Sequence, residues 1–163
     1  MSAPELSPRR RQLLKLAVAA FLAPVSLPGG SAQASDPSQQ KAFAAFLDTL
    51  LPRDALSGSA TDLGVDQAIW ELAKDQPLLQ KLLVFGSRWL DNTGGPPFAE
   101  LDEDSRIAIA DWMSKADWNE IPGRFFHLVR HLAMEFYYSQ PDSWAGLPLD
   151  HPPQPSGFPP PWT

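Results

Sequence analysis

Residues 122–138 read PGRFFHLVRHLAMEFYY, the longest run of apolar residues at helical spacing in the chain. The apolar positions recur three and four residues apart, which is the spacing of the buried face of an α-helix. They are Phe125, Phe126, Leu128, Val129, Leu132, Ala133, Phe136 and Tyr137. A proline suits the first turn, because the N–H groups there have no intrahelical partner. The pattern therefore predicts a helix that begins at Pro122 and packs into a core.

Four further segments show the same periodicity and are separated by proline or glycine. We place them at residues 36–51, 61–75, 77–90 and 102–113. Asp36 is expected to cap the first of them, and Pro52 to end it. No segment shows the sustained two-residue alternation of a half-buried strand. The expected fold is all-α, a small irregular bundle of about five helices.

Residues 1–34 have the three parts of an export signal in the correct order. Its parts are the arginine pair Arg10-Arg11, the leucines Leu13 and Leu14, the apolar run at residues 16–27, and the small residues Ala32 and Ala34. The paired arginines resemble a twin-arginine signal, which serves proteins that fold before they cross the membrane. A transmembrane anchor needs about 20 apolar residues, whereas Pro24 and Pro28 break this shorter run. We therefore expect a periplasmic protein that is exported by the twin-arginine route.

The other end of the chain also differs from the helical body. Residues 141–163 hold eight of the eighteen prolines and show no helical period, which predicts an extended, polyproline-like arm. The arm carries too much apolar surface for a purely solvated linker. It either folds back over the helices or lies along another protein. The predicted organisation is an export signal at 1–34, a helical domain at 35–140 and an arm at 141–163.

The charge of the chain limits its partners. The 163 residues include 13 basic and 19 acidic side chains, a net charge of −6. Removal of residues 1–34 takes away four basic residues and one acidic residue, so the net charge becomes −9. Such a chain lacks the basic patch that binds nucleic acid or anionic lipid. The absence of cysteine excludes disulfides, cysteine-ligated clusters, covalent haem attachment and thiol nucleophiles within the chain.

His127, His131 and Glu135 are the candidates for a metal site. Four-residue steps place them on one face of the predicted helix, and imidazole and carboxylate are common metal ligands. The alternative is that this stripe lies at the edge of the core or in an interface. Carboxylate pairs such as Asp62 with Asp66 are explained by helix starts and solvated faces. The sequence has no nucleophile motif, dinucleotide motif or phosphate loop, so we expect no catalytic or cofactor-binding residue in this chain.

Aromatic residues are abundant for a domain of this size. The tryptophans on or beside the helices would ordinarily lie in the core: Trp70, Trp89, Trp112 and Trp118. Some aromatic residues are expected instead to anchor an interface, because such side chains concentrate binding energy. The interface candidates are Tyr137, Tyr138, Trp144, Phe158 and Trp162.

Motifs near both ends of the helical domain together resemble a known family. Residues 46–54 read FLDTLLPRD and are followed by Gly64-Val65. Residues 137–139 read YYS, residues 144–146 read WAG, and a proline-rich stretch with Gly157 comes after them. In order and spacing, these motifs resemble the small (third) subunit of membrane-associated gluconate 2-dehydrogenase. The same family includes the gamma subunit of flavin-dependent glucose dehydrogenases, and the resemblance covers about residues 40–158.

The resemblance implies a non-catalytic subunit. Its partner would be a large flavoprotein of the glucose–methanol–choline type, which oxidises a sugar, polyol or related alcohol with FAD. The small subunit would bind this partner, help it mature and carry it through the twin-arginine route, and electrons would then pass to a cytochrome c or another acceptor. Membrane association is expected only through the partner or an uncleaved signal. Two alternatives stay open: a stand-alone periplasmic enzyme with a metal at His127, His131 and Glu135, and a periplasmic binding module.

Overall fold

The computed structural model describes residues 36–146, and five α-helices account for most of them. The helices are α1 (Pro37–Leu50), α2 (Val65–Lys74), α3 (Pro77–Leu90), α4 (Glu103–Lys115) and α5 (Ile121–Tyr138). Short 3-10 turns lie at Phe98–Glu100 and Pro141–Trp144, and no strand occurs between residues 36 and 146. The predicted all-α bundle of about five helices is confirmed. The predicted export signal and the interface candidates Phe158 and Trp162 lie outside the described residues.

Helix α5 is the central element of the bundle, and it packs against each of the other four helices. Eleven of its eighteen residues are buried. A helix at the surface buries one stripe and leaves the opposite face to solvent, so this larger share requires neighbours on several sides. Adjacent apolar residues, such as Phe125 with Phe126 and Leu128 with Val129, give α5 an apolar face wide enough to contact several helices.

A cluster of phenylalanine rings joins α1 to α5. The ring of Phe125 lies 5.2 Å from that of Phe46 and 6.2 Å from that of Phe43. Phe46 also contacts Phe98 and Phe126, with their ring centres at 6.1 and 6.3 Å. Edge and tilted contacts of this kind are the favoured arrangements of aromatic pairs. Because Phe98 belongs to the first 3-10 turn, the cluster also fixes the connection between α3 and α4.

The ends of α1 match the sequence prediction, whereas the start of α2 does not. Asp36 caps α1 by accepting a hydrogen bond from Ser38, and the side chain of Gln39 completes a capping box. The sequence predicts a second helix from residue 61, but α2 begins at Val65. Gly64 has φ +69°, a left-handed conformation that interrupts the helix and favours glycine.

The chain after α5 begins with a compact turn. The sequence predicts an extended segment from Pro141, but Pro141–Trp144 forms a 3-10 turn. The indole N–H of Trp144 donates to the carbonyl of Tyr138 over 3.0 Å, which ties the turn to the last residue of α5. The described chain therefore stays against the helical domain until Gly146.

Helix α3 approaches α5 so closely that one of its positions requires glycine. A Cβ atom on Gly86 would lie 1.9 Å from Cδ2 of Phe125. The Phe125 ring is fully buried between Phe43 and Phe46, so it has no space into which to move. Alanine stabilises a helix by about 1 kcal/mol relative to glycine. Packing against Phe125, and not helix propensity, therefore explains why residue 86 is glycine.

Gly86→Ala is expected to lower the free energy of unfolding by about 1–3 kcal/mol, the usual cost of overpacking a core. Denaturant unfolding followed by helical circular dichroism measures this change. Gly95→Ala is the matched control, because a Cβ there would meet nothing within 4 Å. Equal unfolding free energies for the two variants would contradict the account of α3 packing.

Candidate partner-binding surface

The loop between α1 and α2, residues 51–64, is ordered by carboxylate side chains. Asp54 Oδ1 accepts hydrogen bonds from the backbone N–H groups of Leu56 and Ser57, each over 2.7 Å. The N–H of Ser57, and after it that of Leu56, lowers the pKa of the Asp54 carboxyl below its usual value. The resulting turn presents the side chain of Leu56 to solvent with 65% of its surface exposed.

Two further carboxylates hold the second half of the loop. Asp48 of α1 accepts from the backbone N–H of Thr61 over 2.9 Å and from its hydroxyl over 2.7 Å. Asp62 accepts from the N–H of Ser59 over 2.7 Å and lies 2.6 Å from the Arg53 guanidinium. The Ser59 N–H, more than Arg53, lowers the pKa of Asp62. These carboxylates therefore serve the backbone of the loop.

Tyr137 joins this loop to α5. Its side chain is only 4% exposed, and its hydroxyl donates to the carbonyl of Gly58 over 2.7 Å. The same hydroxyl lies 3.0 Å from Ser57 Oγ. Buried polar groups are costly unless they are paired, so this bond fixes the position of the loop on the end of α5. Tyr137 was a candidate interface residue by sequence, and the structure places it in the interior.

An exposed apolar patch lies where the loop and the end of α5 meet. We call it the Tyr138 patch and define it by Leu56, Tyr138 and Trp144. Tyr138 is 51% exposed, and its carbonyl accepts the hydrogen bond from the half-buried Trp144. Gly146 packs directly on the Leu56 side chain, since a Cβ there would lie 2.5 Å from Leu56 Cδ1. The patch therefore gathers Tyr138 and Trp144, two of the interface candidates, on one surface.

A cleft of about 400 Å³ lies beside the same loop. Its charged lining residues are Arg53, Arg106, Asp48 and Glu103. The two arginines are offset by the two carboxylates, so the cleft has no net positive charge. The phosphates of a dinucleotide are held by unopposed arginine side chains, and the cleft therefore does not fit such a ligand. The Nε atom of Arg106 is buried without a hydrogen-bond partner in the described structure.

The three candidate metal ligands, His127, His131 and Glu135, do not form a ligand cluster. His127 is half-buried, and its ring lies 5.4 Å from that of Trp118 and 5.2 Å from that of Phe126. His131 is exposed, and Glu135 is half-buried. Within residues 36–146, no three histidine, aspartate or glutamate side chains are placed to hold one metal ion. The aromatic contacts of His127 fit the alternative that this stripe borders the core.

Arg124 is a buried residue that no sequence motif indicates. It is 1% exposed, and its Nε donates to the carbonyl of Trp118 over 3.1 Å. Its guanidinium also lies 5.2 Å from the centre of the Trp118 ring, within the range of a cation–π contact. Burial lowers the pKa of Arg124 from its usual value. In the sequence, the feature that indicates its burial is its position next to Phe125 in the apolar run, where a charged residue needs a partner.

Trp89 and Trp112 form a second exposed aromatic feature. Their rings stack with centres 5.4 Å apart and planes 9° apart, yet Trp112 is 53% exposed. They line a shallow recess of about 350 Å³ together with Thr93, Ala108 and Ile109. We call it the tryptophan recess. The default prediction from the sequence is that the helix tryptophans lie in the core, and it is wrong for Trp112 and for Trp118, which is 37% exposed.

Tyr137→Phe is expected to lower the free energy of unfolding by about 1–2 kcal/mol, because the Gly58 carbonyl loses its donor. Hydrogen exchange at residues 57 and 58 is expected to accelerate as the loop loses its anchor. Tyr138→Phe is the neighbouring control, since its ring is half exposed. Equal losses of stability in the two variants would contradict the anchoring role of Tyr137.

Comparisons with known proteins assign the family. Within residues 36–146, no helix is long and apolar enough to cross a membrane. No curated protein and no solved structure matches the chain significantly. A family model described as gluconate 2-dehydrogenase subunit 3 matches residues 37–146, which is more than half of the chain. This range contains all five helices, the loop at 51–64 and the Tyr138 patch. The chain therefore belongs to the gluconate 2-dehydrogenase subunit 3 family.

Proposed function

We propose that this chain is the non-catalytic small subunit of a dehydrogenase complex. Its partner is a large FAD-dependent subunit of the glucose–methanol–choline type, which oxidises a sugar, polyol or related alcohol. The observation that supports this most is the family match. The matched family is named as one subunit of a dehydrogenase, and the match spans residues 37–146, which include all five helices. FAD and the oxidation chemistry belong to the large subunit in this proposal.

The described surface supports a binding role. Its carboxylates at Asp48, Asp54 and Asp62 are engaged by loop backbone, which leaves them poorly suited to acid–base chemistry. The Tyr138 patch instead offers exposed leucine and tyrosine side chains on a rigid base. Aromatic and aliphatic anchors of this kind, held in place before binding, concentrate the energy of a protein interface. We assign the large subunit to this patch.

The proposal extends to export. Residues 1–34 carry Arg10 and Arg11 in a twin-arginine signal, and the large subunit travels with the chain to which it is bound. A flavoprotein that incorporates FAD in the cytoplasm must cross the membrane folded, which is what this route permits. The chain thus helps the large subunit mature and escorts it to the periplasm. There the complex passes electrons to a cytochrome c or another acceptor.

The double substitution Arg10→Lys with Arg11→Lys is expected to leave both subunits in the cytoplasm. Lysine keeps the charge but not the guanidinium, so the route loses its recognition element while the n-region stays basic. Fractionation with flavin-linked dehydrogenase activity as the readout measures this. Arg9→Lys is the matched control, because it leaves the Arg10-Arg11 pair intact. A large subunit that still reaches the periplasm with the double variant would contradict the escort role.

Leu56→Asp is expected to weaken binding of the large subunit by about tenfold or more, because it places a charge in the centre of an apolar contact. Titration of the purified large subunit with the variant measures the dissociation constant. Leu78→Asp on the first turn of α3 is the matched control, since Leu78 is also exposed but lies outside the Tyr138 patch. Equal dissociation constants for the two variants would place the large subunit elsewhere on the surface.

A further inference from the structure

The tryptophan recess is an aromatic surface that the proposed function does not use. Trp112 stacks on Trp89 with one ring face and leaves 53% of its surface exposed. The remaining lining residues, Thr93, Ala108 and Ile109, carry no charge. A flat indole surface of this kind is costly to leave in water. The recess therefore has the character of a binding site for an uncharged apolar ligand.

Proline-rich peptide is the ligand class that this geometry fits best. Proline-rich segments dock in grooves lined by aromatic side chains, where prolyl rings pack against the flat ring faces. Such segments also lose little conformational entropy on binding, because the polyproline conformation is already favoured in the free chain. The uncharged lining of the recess agrees with a ligand that brings no charged side chain to it.

The chain contains such a segment directly after the described residues. Residues 147–163 include seven prolines, and residues 152–155 read PPQP. This stretch has prolines three residues apart at Pro152 and Pro155, the spacing that aromatic grooves recognise. Residues 152–155 contain no lysine, arginine, aspartate or glutamate. Its chemistry therefore matches the recess.

The arm is also long enough to reach the recess from Gly146. Gly146 lies beyond the C-terminal end of α5, against Leu56. The recess lies towards the other end, because Trp89 is one turn beyond Gly86, which packs on Phe125 in the first third of α5. The eighteen residues of α5 span about 27 Å at about 1.5 Å per residue. Nine residues from Gly146 to Pro155 reach about 28 Å at about 3.1 Å per residue in a polyproline conformation.

We infer that residues 152–155 of this chain bind in the tryptophan recess and cover Trp112. In this arrangement, the arm runs back along the helical domain from Gly146 and shields the Trp89 and Trp112 rings from solvent. This inference concerns the chain alone and does not rest on the proposed function. It leaves the Tyr138 patch, at the other end of α5, open to the large subunit.

Disulfide trapping in the full chain tests this, because the natural sequence has no cysteine. One variant carries Ala108→Cys, which lines the recess, with Gln154→Cys in the arm. The reference variant carries the same arm cysteine with Glu71→Cys, an exposed position on α2. We expect the Ala108 pair to form its intramolecular disulfide about tenfold faster than the Glu71 pair, as a bound segment has a higher effective concentration than a tethered free one. Rates are normalised to the reaction of each thiol with a small disulfide.

Two additional variants make the outcome specific. Trp112→Ala in the Ala108 pair is expected to reduce the rate to that of the reference, whereas Leu78→Ala leaves it unchanged. Helical circular dichroism confirms that each variant is folded. Equal rates for the Ala108 and Glu71 pairs would overturn the inference, as would an Ala108 pair insensitive to Trp112→Ala. Disulfide-linked dimers in place of the intramolecular product would overturn it in favour of a second copy of the chain as the occupant.

Discussion

The packing of the Phe125 ring on the backbone of Gly86 is the constraint on which the bundle depends. It brings α3 against α5 with no Cβ between them, and the same ring closes the phenylalanine cluster with Phe43 and Phe46 of α1. Interiors packed to this density tolerate little change in volume. The positions of α1, α3 and α5 are therefore linked through one side chain. A chain without disulfides acquires in this way the rigid base on which its loops are held.

Two adjacent tyrosines at the end of α5 have different roles: Tyr137 stabilises the fold, and Tyr138 belongs to the proposed binding surface. Successive residues of a helix point about 100° apart, so Tyr137 faces the interior while Tyr138 faces solvent. Tyr137 holds the loop at 51–64 through Gly58, and that loop presents Leu56 against Gly146, two residues after Trp144. The buried hydroxyl of Tyr137 therefore fixes the loop that contributes Leu56 to the Tyr138 patch. In the proposed complex, this preorganisation reduces the entropy lost when the large subunit binds.

The periodicity of apolar residues predicted the five helices, and local capping chemistry predicted where α1 begins. Both are properties of neighbouring residues, so they can be predicted without the fold. The start of α2 follows from the left-handed conformation of Gly64, and the turn before it is held by Asp48, a residue distant in sequence that accepts hydrogen bonds from Thr61. Burial of Arg124 and exposure of Trp112 also depend on which elements cover them, and composition alone placed the tryptophans in the core. The motifs at residues 46–54 and 137–146 predicted the family, because they can be identified in the sequence without the fold.

The central claim is that the chain acts as the accessory subunit of a flavoprotein dehydrogenase. The most direct measurement is the absorption spectrum and composition of the species that copurifies with the affinity-tagged full chain from cells that produce it. The account predicts one complex in which a larger protein carries the flavin and this chain carries none. A chain that elutes alone, without flavin and without a larger companion, would contradict it.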